Sequence, residues 1–304
     1  MPKVNAIINY VPHYLRKSLT IWRAQGVRGL FLGFERFFKR IIRKQAPDDY
    51  PRTQDYTPGL VSVAILTKNR LDLIQPCLES ICKYPSSKYE IEILIGDTGT
   101  NETEVLQFYR NASDRYKNIK LILLGNYYFS KNYNQLIRDH AQGQYLILLN
   151  NDTLATENWL DNLVDPLADK NIGIVGAKLL YPDNTIQHAG LEFNEQRNAY
   201  HVYCKQPKNL PEANFPALVP GVTFACVALR HDVFDRFQLN EHFKHEAQDT
   251  DFCLRLAAAG FKVLYNPVVE VYHLECASRD WRQGILDRVR LQKMWSPTIK
   301  RLVA

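Results

Sequence analysis

Between residues 60 and 149, short apolar runs alternate with segments in which apolar residues recur every three or four positions. Four of these runs are nearly continuous, as in strands that helices cover on both faces. They are LVSVAIL (60–66), IEILIG (91–96), IKLILL (119–124) and QYLILL (144–149). The segments between them have helical periodicity, as in the spacing of Leu71, Ile74, Leu78 and Ile81. Strands that alternate with helices predict an α/β fold with a parallel, doubly wound sheet.

Beyond residue 152 the alternation is less regular. Four further strands are predicted, at 172–180, 222–229, 262–265 and 268–273. A helix is predicted over 249–261, where Gly260 suits the left-handed conformation that often ends a helix. Residues 181–219 are polar and contain prolines, so no element is assigned to them.

The first 45 residues differ from the rest in pattern and charge. Apolar and basic residues alternate at helical spacing over 10–45, which predicts an N-terminal helical extension of one or two amphipathic helices. Residues 1–45 contain ten Lys and Arg and one acid, whereas the whole chain has a net charge of +6. Such a helix could lie on an anionic membrane surface or pack on the main domain. Nucleic-acid binding is a weaker third interpretation, because no other part of the chain supports it.

Composition narrows the class of protein. The 304 residues, 46% of them hydrophobic, are enough for one large domain or two smaller ones. A polar, proline-containing stretch at 45–59 indicates a linker. No apolar run approaches the roughly 20 residues of a membrane span, and the N-terminus lacks the features of a secretory signal. The six cysteines form neither a C-x-x-C motif nor a zinc-site spacing, so we expect a cytoplasmic protein with reduced cysteines.

Polar residues directly follow three of the predicted strands. They are Thr67 to Arg70 after the first strand, Gly96 to Thr100 after the second and Asn150 to Asp152 after the fourth. The carboxyl ends of parallel strands meet at one edge of a sheet, where ligands bind in folds of this class. The sequence therefore predicts a ligand site there, although it contains neither the G-x-G-x-x-G motif nor a P-loop.

Two acids at these strand ends have chemistry suited to a nucleotide ligand. Asp97 could accept hydrogen bonds from a base edge or a ribose hydroxyl, or it could cap its own turn. Asp152 could bind a divalent cation, which favours oxygen ligands and would neutralise a diphosphate. Its alternative role is the N-cap of a helix near Trp159. The residues alone leave these alternatives open.

Six segments of the chain occur in an order that indicates a family. They are VSVAILTKNR, ILIGDTG, LILLNNDT, GAKLLYPDNTIQHAG, AQDTDFCLRLAAAGF and VYHLECASR. Together they resemble family 2 glycosyltransferases, especially the bacterial members, some of them rhamnosyltransferase-like, that build O-antigen and capsule polysaccharides. The resemblance covers about residues 60–280. It implies a GT-A fold, which is a Rossmann-like, mostly parallel sheet flanked by helices. It also implies a nucleotide-sugar donor, a divalent metal (Mn²⁺ or Mg²⁺) and inversion at the anomeric carbon.

The resemblance implies roles for the residues at the strand ends. The family's nucleotide-binding positions match Thr67, Asn69 and Asp97. The D-x-D metal motif matches residues 150–152, with asparagine in place of its first acid. Asp152 is therefore the expected metal ligand, whereas Asn150 and Asn151 are expected on the nucleotide side of the site.

Two expected site residues lie farther along the chain. Asp249 matches the acid of the family's E-D motif and is the expected catalytic base, although Gln248 replaces the glutamate before it. Asp251 is the second candidate base, and a helix N-cap is the structural alternative for Asp249. His273 matches a histidine that completes the metal site in some relatives, and its imidazole would suit Mn²⁺ better than Mg²⁺.

The implied division of the chain has three parts. They are a basic helical extension and linker (1–57), a GT-A domain (58–280) and a C-terminal helical tail (281–304). Within the domain, residues 58–155 would form the nucleotide-binding half and residues 156–280 the acceptor and catalytic half. The tail could pack on the domain or make a second membrane contact.

The resemblance implies an inverting glycosyltransferase that moves a sugar from a UDP- or dTDP-sugar to a saccharide or lipid-linked saccharide. Peripheral membrane contact through residues 10–45 would hold such an enzyme at the inner face of the plasma membrane. Two other functions stay open. One is a sugar-phosphate nucleotidyltransferase, for which a Gly-rich basic loop after the first strand is missing. The other is a non-catalytic, membrane-associated binding module.

Overall fold

The computed structural model describes residues 56–115, 117–275 and 284–303. These residues belong to one structural unit that spans 46–304. The helices predicted in 10–45, most of the predicted linker and Cys276 lie outside the described residues. The domain boundaries expected at residues 57 and 280 stay predictions.

The described residues form the following elements. The strands are β1 (Thr57–Thr67), β2 (Glu90–Asp97), β3 (Ile119–Leu123), β4 (Gly143–Asn150), β5 (Thr153–Leu154), β6 (Ile172–Leu180), β7 (Ile186–His188), β8 (Leu191–Phe193), β9 (Ala199–His201), β10 (Ala217–Leu218), β11 (Cys226–Arg230) and β12 (Lys262–His273). The α-helices are α1 (Leu71–Lys83), α2 (Thr103–Arg115), α3 (Phe129–His140), α4 (Trp159–Val164), α5 (His231–Phe237), α6 (Gln248–Ala258) and α7 (Ile285–Val303). Short 3₁₀ helices span Asp165–Ala168 and Pro211–Ala213.

One sheet organises this unit, with the strand order β10-β12-β6-β11-β4-β1-β2-β3. β1 pairs in parallel with β2 and β4, and β2 pairs in parallel with β3. β6 and β12 are also parallel, whereas β11 runs antiparallel to β4 and β6. The prediction of an α/β fold with a mostly parallel sheet is therefore confirmed.

The core lies on both faces of the central strands. All nine residues of β6 are buried, as are residues 61–67 of β1. On α1, Ile74, Leu78 and Ile81 are buried as the helical periodicity requires. Each such side chain stabilises the fold by about 1.5–3 kcal/mol through burial alone.

Three predicted boundaries are wrong. The strands predicted at 262–265 and 268–273 are one strand, β12, whose pairing with β6 shifts register between Asn266 and Glu270. The interruption surrounds Pro267, which has no N–H to donate to the ladder. The strand predicted at 222–229 begins only at Cys226, and β1 begins at Thr57, inside the predicted linker. The unassigned stretch 181–219 contains β7 to β10.

The described cysteines are free, and Cys77, Cys226 and Cys253 are buried in the core as expected. Burial raises the pKa of the Cys77 thiol to about 12, so this side chain is a small core residue and not a nucleophile. None of the described helices has the length and apolar composition needed to cross a bilayer.

Candidate active site

Three neighbouring strands end level with one another at one edge of the sheet. Thr67 of β1 is opposite Asp97 of β2, and Leu66 is opposite Asn150 of β4. The loops that follow β1 and β4 line a cleft of about 760 Å³. The polar strand ends identified in the sequence are therefore adjacent in space.

Asn69 joins the turns that follow β1 and β2. Its backbone is left-handed (φ 53°), a conformation that asparagine adopts more readily than most residues. Its Oδ1 accepts the Asn101 N–H at 2.9 Å, and its own N–H donates to Thr100 Oγ1 at 2.9 Å. The side chain both lines the cleft and holds the two turns in register.

The cleft lining among the described residues includes Thr67 but not Asp97. The Asp97 carboxylate is 3% exposed and accepts hydrogen bonds from the N–H groups of Gly99 and Thr100 at 3.2–3.4 Å. These are the contacts of the turn cap that was one of its two possible roles. Thr67 Oγ1 accepts a hydrogen bond from Asn151 Nδ2 at 3.2 Å, which joins the ends of β1 and β4.

Strand pairing brings Asp152 and His273 together. β5 pairs with the end of β12, so that Thr153 is opposite His273. The Asp152 Oδ1 lies 3.1 Å from His273 Nε2, and Asn150 Nδ2 lies 3.3 Å from the same nitrogen. Asp152 precedes a strand, and α4 begins only at Trp159, so Asp152 is not a helix N-cap.

Gln187 determines which nitrogen of His273 carries a proton. The Gln187 Oε1 lies 2.6 Å from His273 Nδ1, and an amide oxygen can only accept a hydrogen bond. Nδ1 therefore carries a proton, and Nε2 faces the Asp152 carboxylate. With Nε2 unprotonated, its lone pair and the carboxylate would favour a cation between them at this separation. A partner on the distal N–H is also the usual support of a metal-ligating histidine.

The Asp152–His273 pair fits two adjacent ligands of an octahedral ion. Ligands about 2.1 Å from such an ion, at right angles, are about 3.0 Å apart. The corresponding distance here is 3.1 Å. The described residues include no cluster of three or more His, Cys, Asp or Glu side chains that could hold a metal. Of the described residues, this pair could therefore supply two ligands, and oxygens of a bound ligand and water would supply the others.

Asp249 lines the same cleft from the second half of the chain. Helix α6 begins at Gln248, and Ala247 occupies its N-cap position in a left-handed conformation (φ 68°). Asp249 is therefore in the first turn and is not the N-cap. Asp251, the second candidate base, is completely buried and is not among the lining residues.

The cleft also contains side chains to which the sequence analysis gave no role. They include Tyr127, Gln187, His201, Thr223 and Glu275. Several belong to the stretch between β6 and β11, where no periodicity indicates which residues turn inward. The segment TIQHAG was the available signal, because it contains Gln187 and was part of the family resemblance.

His188, the last residue of β7, lies beside His201. The His188 Nε2 lies 3.3 Å from the Thr223 N–H and accepts its hydrogen bond, so Nδ1 carries the proton. That Nδ1 lies 3.3 Å from His201 Nδ1, and His201 Nδ1 also lies 3.3 Å from the Gln187 backbone oxygen, which can only accept a hydrogen bond. Burial lowers the pKa of His188 well below its usual value, so the ring stays neutral.

Two curated proteins are similar to most of this chain. The chain is 28% identical over 242 residues to the uncharacterized protein y4gI of Sinorhizobium fredii. It is 29% identical over 238 residues to the O-antigen biosynthesis protein RfbC of Myxococcus xanthus. These alignments cover 77% and 72% of this chain but only 26% and 18% of the relatives. The chain thus spans about a quarter or less of the curated relatives' own length.

Solved structures with the same fold are glycosyltransferases. GalNAc-T7, solved with UDP, GalNAc and Mn²⁺, is 16% identical with a TM-score of 0.65, over 79% of this chain and 49% of that one. The mannosyltransferase PcManGT of Pyrobaculum calidifontis, solved with GDP-Man and Mn²⁺, is 17% identical with a TM-score of 0.57, over 94% of this chain and 76% of that one. These likenesses confirm the GT-A-type fold.

The family model described as "Glycosyl transferase family 2" matches residues 62–237, which contain the second part of β1, all of β2 to β11 and the polar ends of β1, β2 and β4. This match covers more than half of the chain, and the chain therefore belongs to glycosyl transferase family 2.

Proposed function

We propose that this protein is an inverting, metal-dependent glycosyltransferase that transfers a hexosyl or deoxyhexosyl group from a nucleotide sugar to a saccharide or lipid-linked saccharide. One observation carries the proposal: the Asp152–His273 pair and Asp249 line the same cleft at the carboxyl ends of the parallel strands. A diphosphate leaving group and an acceptor hydroxyl would thus each have a suitable partner.

The nucleotide end of the donor would lie over the turns after β1 and β4. Thr67, Asn69, Asn150 and Asn151 line this part of the cleft and offer uncharged donors and acceptors. Asp97 would act through the turn that it caps, which carries Asn101 against Asn69. The solved relatives with UDP or GDP-Man support a nucleotide-sugar donor, and a UDP- or dTDP-sugar is our specific proposal.

Asp152 and His273 would hold Mn²⁺ or Mg²⁺. The ion, when bound, neutralises the diphosphate and makes it a better leaving group. Gln187 would accept the hydrogen bond of His273 Nδ1–H, which would orient the ring and leave Nε2 as the atom that binds the ion. The Mn²⁺ in both solved relatives supports this assignment.

Asp249 would act as the general base. Its carboxylate would take the proton of the acceptor hydroxyl as that oxygen attacks the anomeric carbon and the bond to the diphosphate breaks. Attack from the face opposite the leaving group inverts the configuration. The name of RfbC supports a polysaccharide acceptor such as O-antigen. Membrane contact through residues 10–45, which would place the enzyme at the inner face of the plasma membrane, stays a prediction.

A thermal-shift screen tests the donor site. UDP, dTDP, GDP and CMP would each be added with Mn²⁺ and, separately, with EDTA. We expect one nucleotide to raise the unfolding temperature with Mn²⁺ and to lose this effect in EDTA and in Asp152→Ala. Asp139→Ala, an exposed acid at the end of α3, is the matched control and should respond like the wild type.

Other outcomes of the screen point elsewhere. If nucleoside triphosphates are tested in parallel, stabilisation by them and not by the diphosphates would indicate a nucleotidyltransferase. An equal shift in EDTA, or in Asp152→Ala, would contradict the metal assignment. No shift with any nucleotide would contradict the proposed donor site and favour a binding module.

A further inference from the structure

We propose that the C-terminal helix α7 is a part of the catalytic apparatus, in which Asp287 is a positioning residue that fixes the loop in front of Asp249. This inference rests on the proposed role of Asp249 as the base. Helix α7 lies beyond the residues that the family model matches.

Asp287 binds three consecutive backbone groups. Its Oδ2 accepts the N–H groups of Lys244 at 2.9 Å, His245 at 2.7 Å and Glu246 at 3.2 Å. Its Oδ1 accepts a hydrogen bond from Arg290 Nη1 at 3.0 Å. The carboxylate is 3% exposed, so these charge-assisted bonds are shielded from water. Such convergence of N–H groups on one anion fixes the conformation of the loop.

Within the part of the chain that the structure describes, the loop forms no comparable set of contacts of its own. Residues 244–247 lie outside helices and strands and lead directly into α6. Ala247 has a left-handed conformation, and no side chain caps the helix. The direction in which α6 begins, and hence the position of Asp249, therefore depends on contacts from elsewhere. Glu246 adds a second contact of this kind through an ion pair with Arg288 of α7.

A second tether connects α7 to the first turns of α6. The Trp295 Nε1–H donates to Asp251 Oδ1 at 2.9 Å, and Asp251 Oδ2 accepts from Arg255 Nε at 2.8 Å. Asp251 is completely buried and lies two residues after Asp249. Helix α7 thus holds α6 from both sides of Asp249, at the preceding loop and at Asp251.

The same helix contacts the hairpin that carries His201. The Gln292 Nε2 donates to Asn198 Oδ1 at 2.8 Å, and Arg197 Nη1 donates to Ser296 Oγ at 3.1 Å. Both contacts are at the turn between β8 and β9, and His201 ends β9 in the cleft. Helix α7 therefore supports two lining segments of the cleft that are separate in sequence.

The test compares Asp287→Ala with Asp287→Asn and with Leu286→Ala, a 75% exposed neighbour on the same helix. The readouts are the affinity for Mn²⁺ with UDP, dTDP or GDP, and the kcat for release of nucleoside diphosphate from UDP-, dTDP- and GDP-sugars. We expect Asp287→Ala to lower kcat by about ten- to hundredfold, because small displacements of a reacting group are costly. Nucleotide affinity should stay within about twofold of the wild-type value. Asp287 contacts the loop before Asp249 and not the turns after β1 and β4 that would bind the nucleotide. Asp287→Asn keeps one acceptor oxygen and should recover most of the kcat, whereas Leu286→Ala should equal the wild type.

A double-mutant cycle separates positioning from general stability. If Asp287 acts through Asp249, Asp287→Ala should change kcat by less than about twofold in an Asp249→Asn background. Amide hydrogen exchange at residues 244–246 should also rise in Asp287→Ala and not in Leu286→Ala. If Asp287→Ala does not fold, Trp295→Phe keeps the ring volume while losing the bond to Asp251, and should lower kcat by about threefold or more with nucleotide affinity unchanged.

Three results would overturn the proposal. They are a normal kcat in Asp287→Ala, a parallel loss of kcat and nucleotide affinity, and an undiminished effect in the Asp249→Asn background. Should Asp287→Ala not fold, a normal kcat in Trp295→Phe would overturn it equally. Retention of turnover by Asp249→Asn alone would instead contradict the base assignment. One set of variants therefore distinguishes failure of the positioning role of Asp287 from failure of the proposed role of Asp249 as the base.

Discussion

Asp249 and Asp251 are two residues apart on α6, yet their surroundings differ. Asp249 lines the cleft and is partly exposed, so its carboxylate can reach a substrate hydroxyl. Asp251 is completely buried and is already engaged by Arg255 and Trp295. Burial and partners thus discriminate between two acids that the sequence left as alternatives, and they favour Asp249 as the proposed base.

Replacement of this acid should affect chemistry and not binding. We expect Asp249→Asn to lower kcat by about 10²–10⁴-fold, the usual contribution of a general base. The amide has nearly the same shape but cannot accept the proton, so nucleotide affinity should be unchanged. Steady-state kinetics with nucleotide titration would measure both quantities. A variant with near-normal turnover would eliminate Asp249 as the base.

The burial of a second acid, Glu192 on β8, makes the stability of the protein depend on pH. Burial raises the pKa of its carboxyl to about 7, although the Tyr200 hydroxyl donates to it at 2.9 Å. Between pH 4.5 and 7 the folded protein retains a proton that the unfolded chain releases. The free energy of unfolding therefore decreases as pH rises through this range.

We predict that Glu192→Gln stabilises the protein at pH 8 by roughly 1–3 kcal/mol and changes little at pH 5. The glutamine needs no charge in the buried site, whereas the wild-type carboxyl is ionised at pH 8. Denaturant unfolding at the two pH values would measure the difference. Glu195→Gln, an exposed acid beyond the same strand, should show no such pH-dependent gain.

At the scale of elements, β12 pairs with three other strands and carries His273 to the cleft. Its residues pair with β6, β10 and β5, and its last residue is His273. Beside it, Lys178 of β6 is completely buried and donates to Lys208 O, Asn214 Oδ1 and Glu270 Oε1 at 2.7–2.9 Å. Burial alone would raise the pKa of Glu270, but the bonds from Lys178 and Lys208 hold it below its usual value.

Lys178 and Lys208 contact the same glutamate from different environments, which provides a matched comparison. Lys178→Met should reduce the free energy of unfolding by about 2–4 kcal/mol, because three acceptors lose a buried donor. Lys208→Met should cost less than about 1 kcal/mol, because Lys208 is 42% exposed. Urea unfolding of both variants would measure the difference. Equal losses would show that burial does not set the strength of these contacts.

At the scale of the molecule, the proposed donor should stabilise the whole fold, because its site joins turns from several strands. A ligand at 100 times its Kd adds about 2.7 kcal/mol to the free energy of unfolding. For a domain of about 250 residues this corresponds to an increase of about 5–10 °C in unfolding temperature. The matching nucleotide with Mn²⁺ should reach this value in the screen, and a shift near zero for every nucleotide would contradict the proposed donor site.

Much of the architecture follows from local pattern. The apolar runs of β1, β2 and β4 are nearly continuous, and α1 has helical spacing. These local patterns predict a parallel sheet covered by helices without information from the rest of the chain. The predictions failed where tertiary contacts decide. A two-residue strand such as β5 has no pattern of its own, and β12 continues past Pro267 only because β6 and β5 pair with it on either side.

The sequence by itself determined the fold class, the family resemblance and the edge of the sheet where polar residues collect. The hydrophobic period and the succession of segments along the chain carry this information without any tertiary contact. Tertiary structure decided which of those residues meet. The Asp152–His273 pair depends on β5 pairing with β12, the proton of His273 depends on Gln187, and the approach of Asp249 depends on contacts from α7. Each of these joins segments far apart in the chain, and contact between such segments is fixed by packing and not by local sequence.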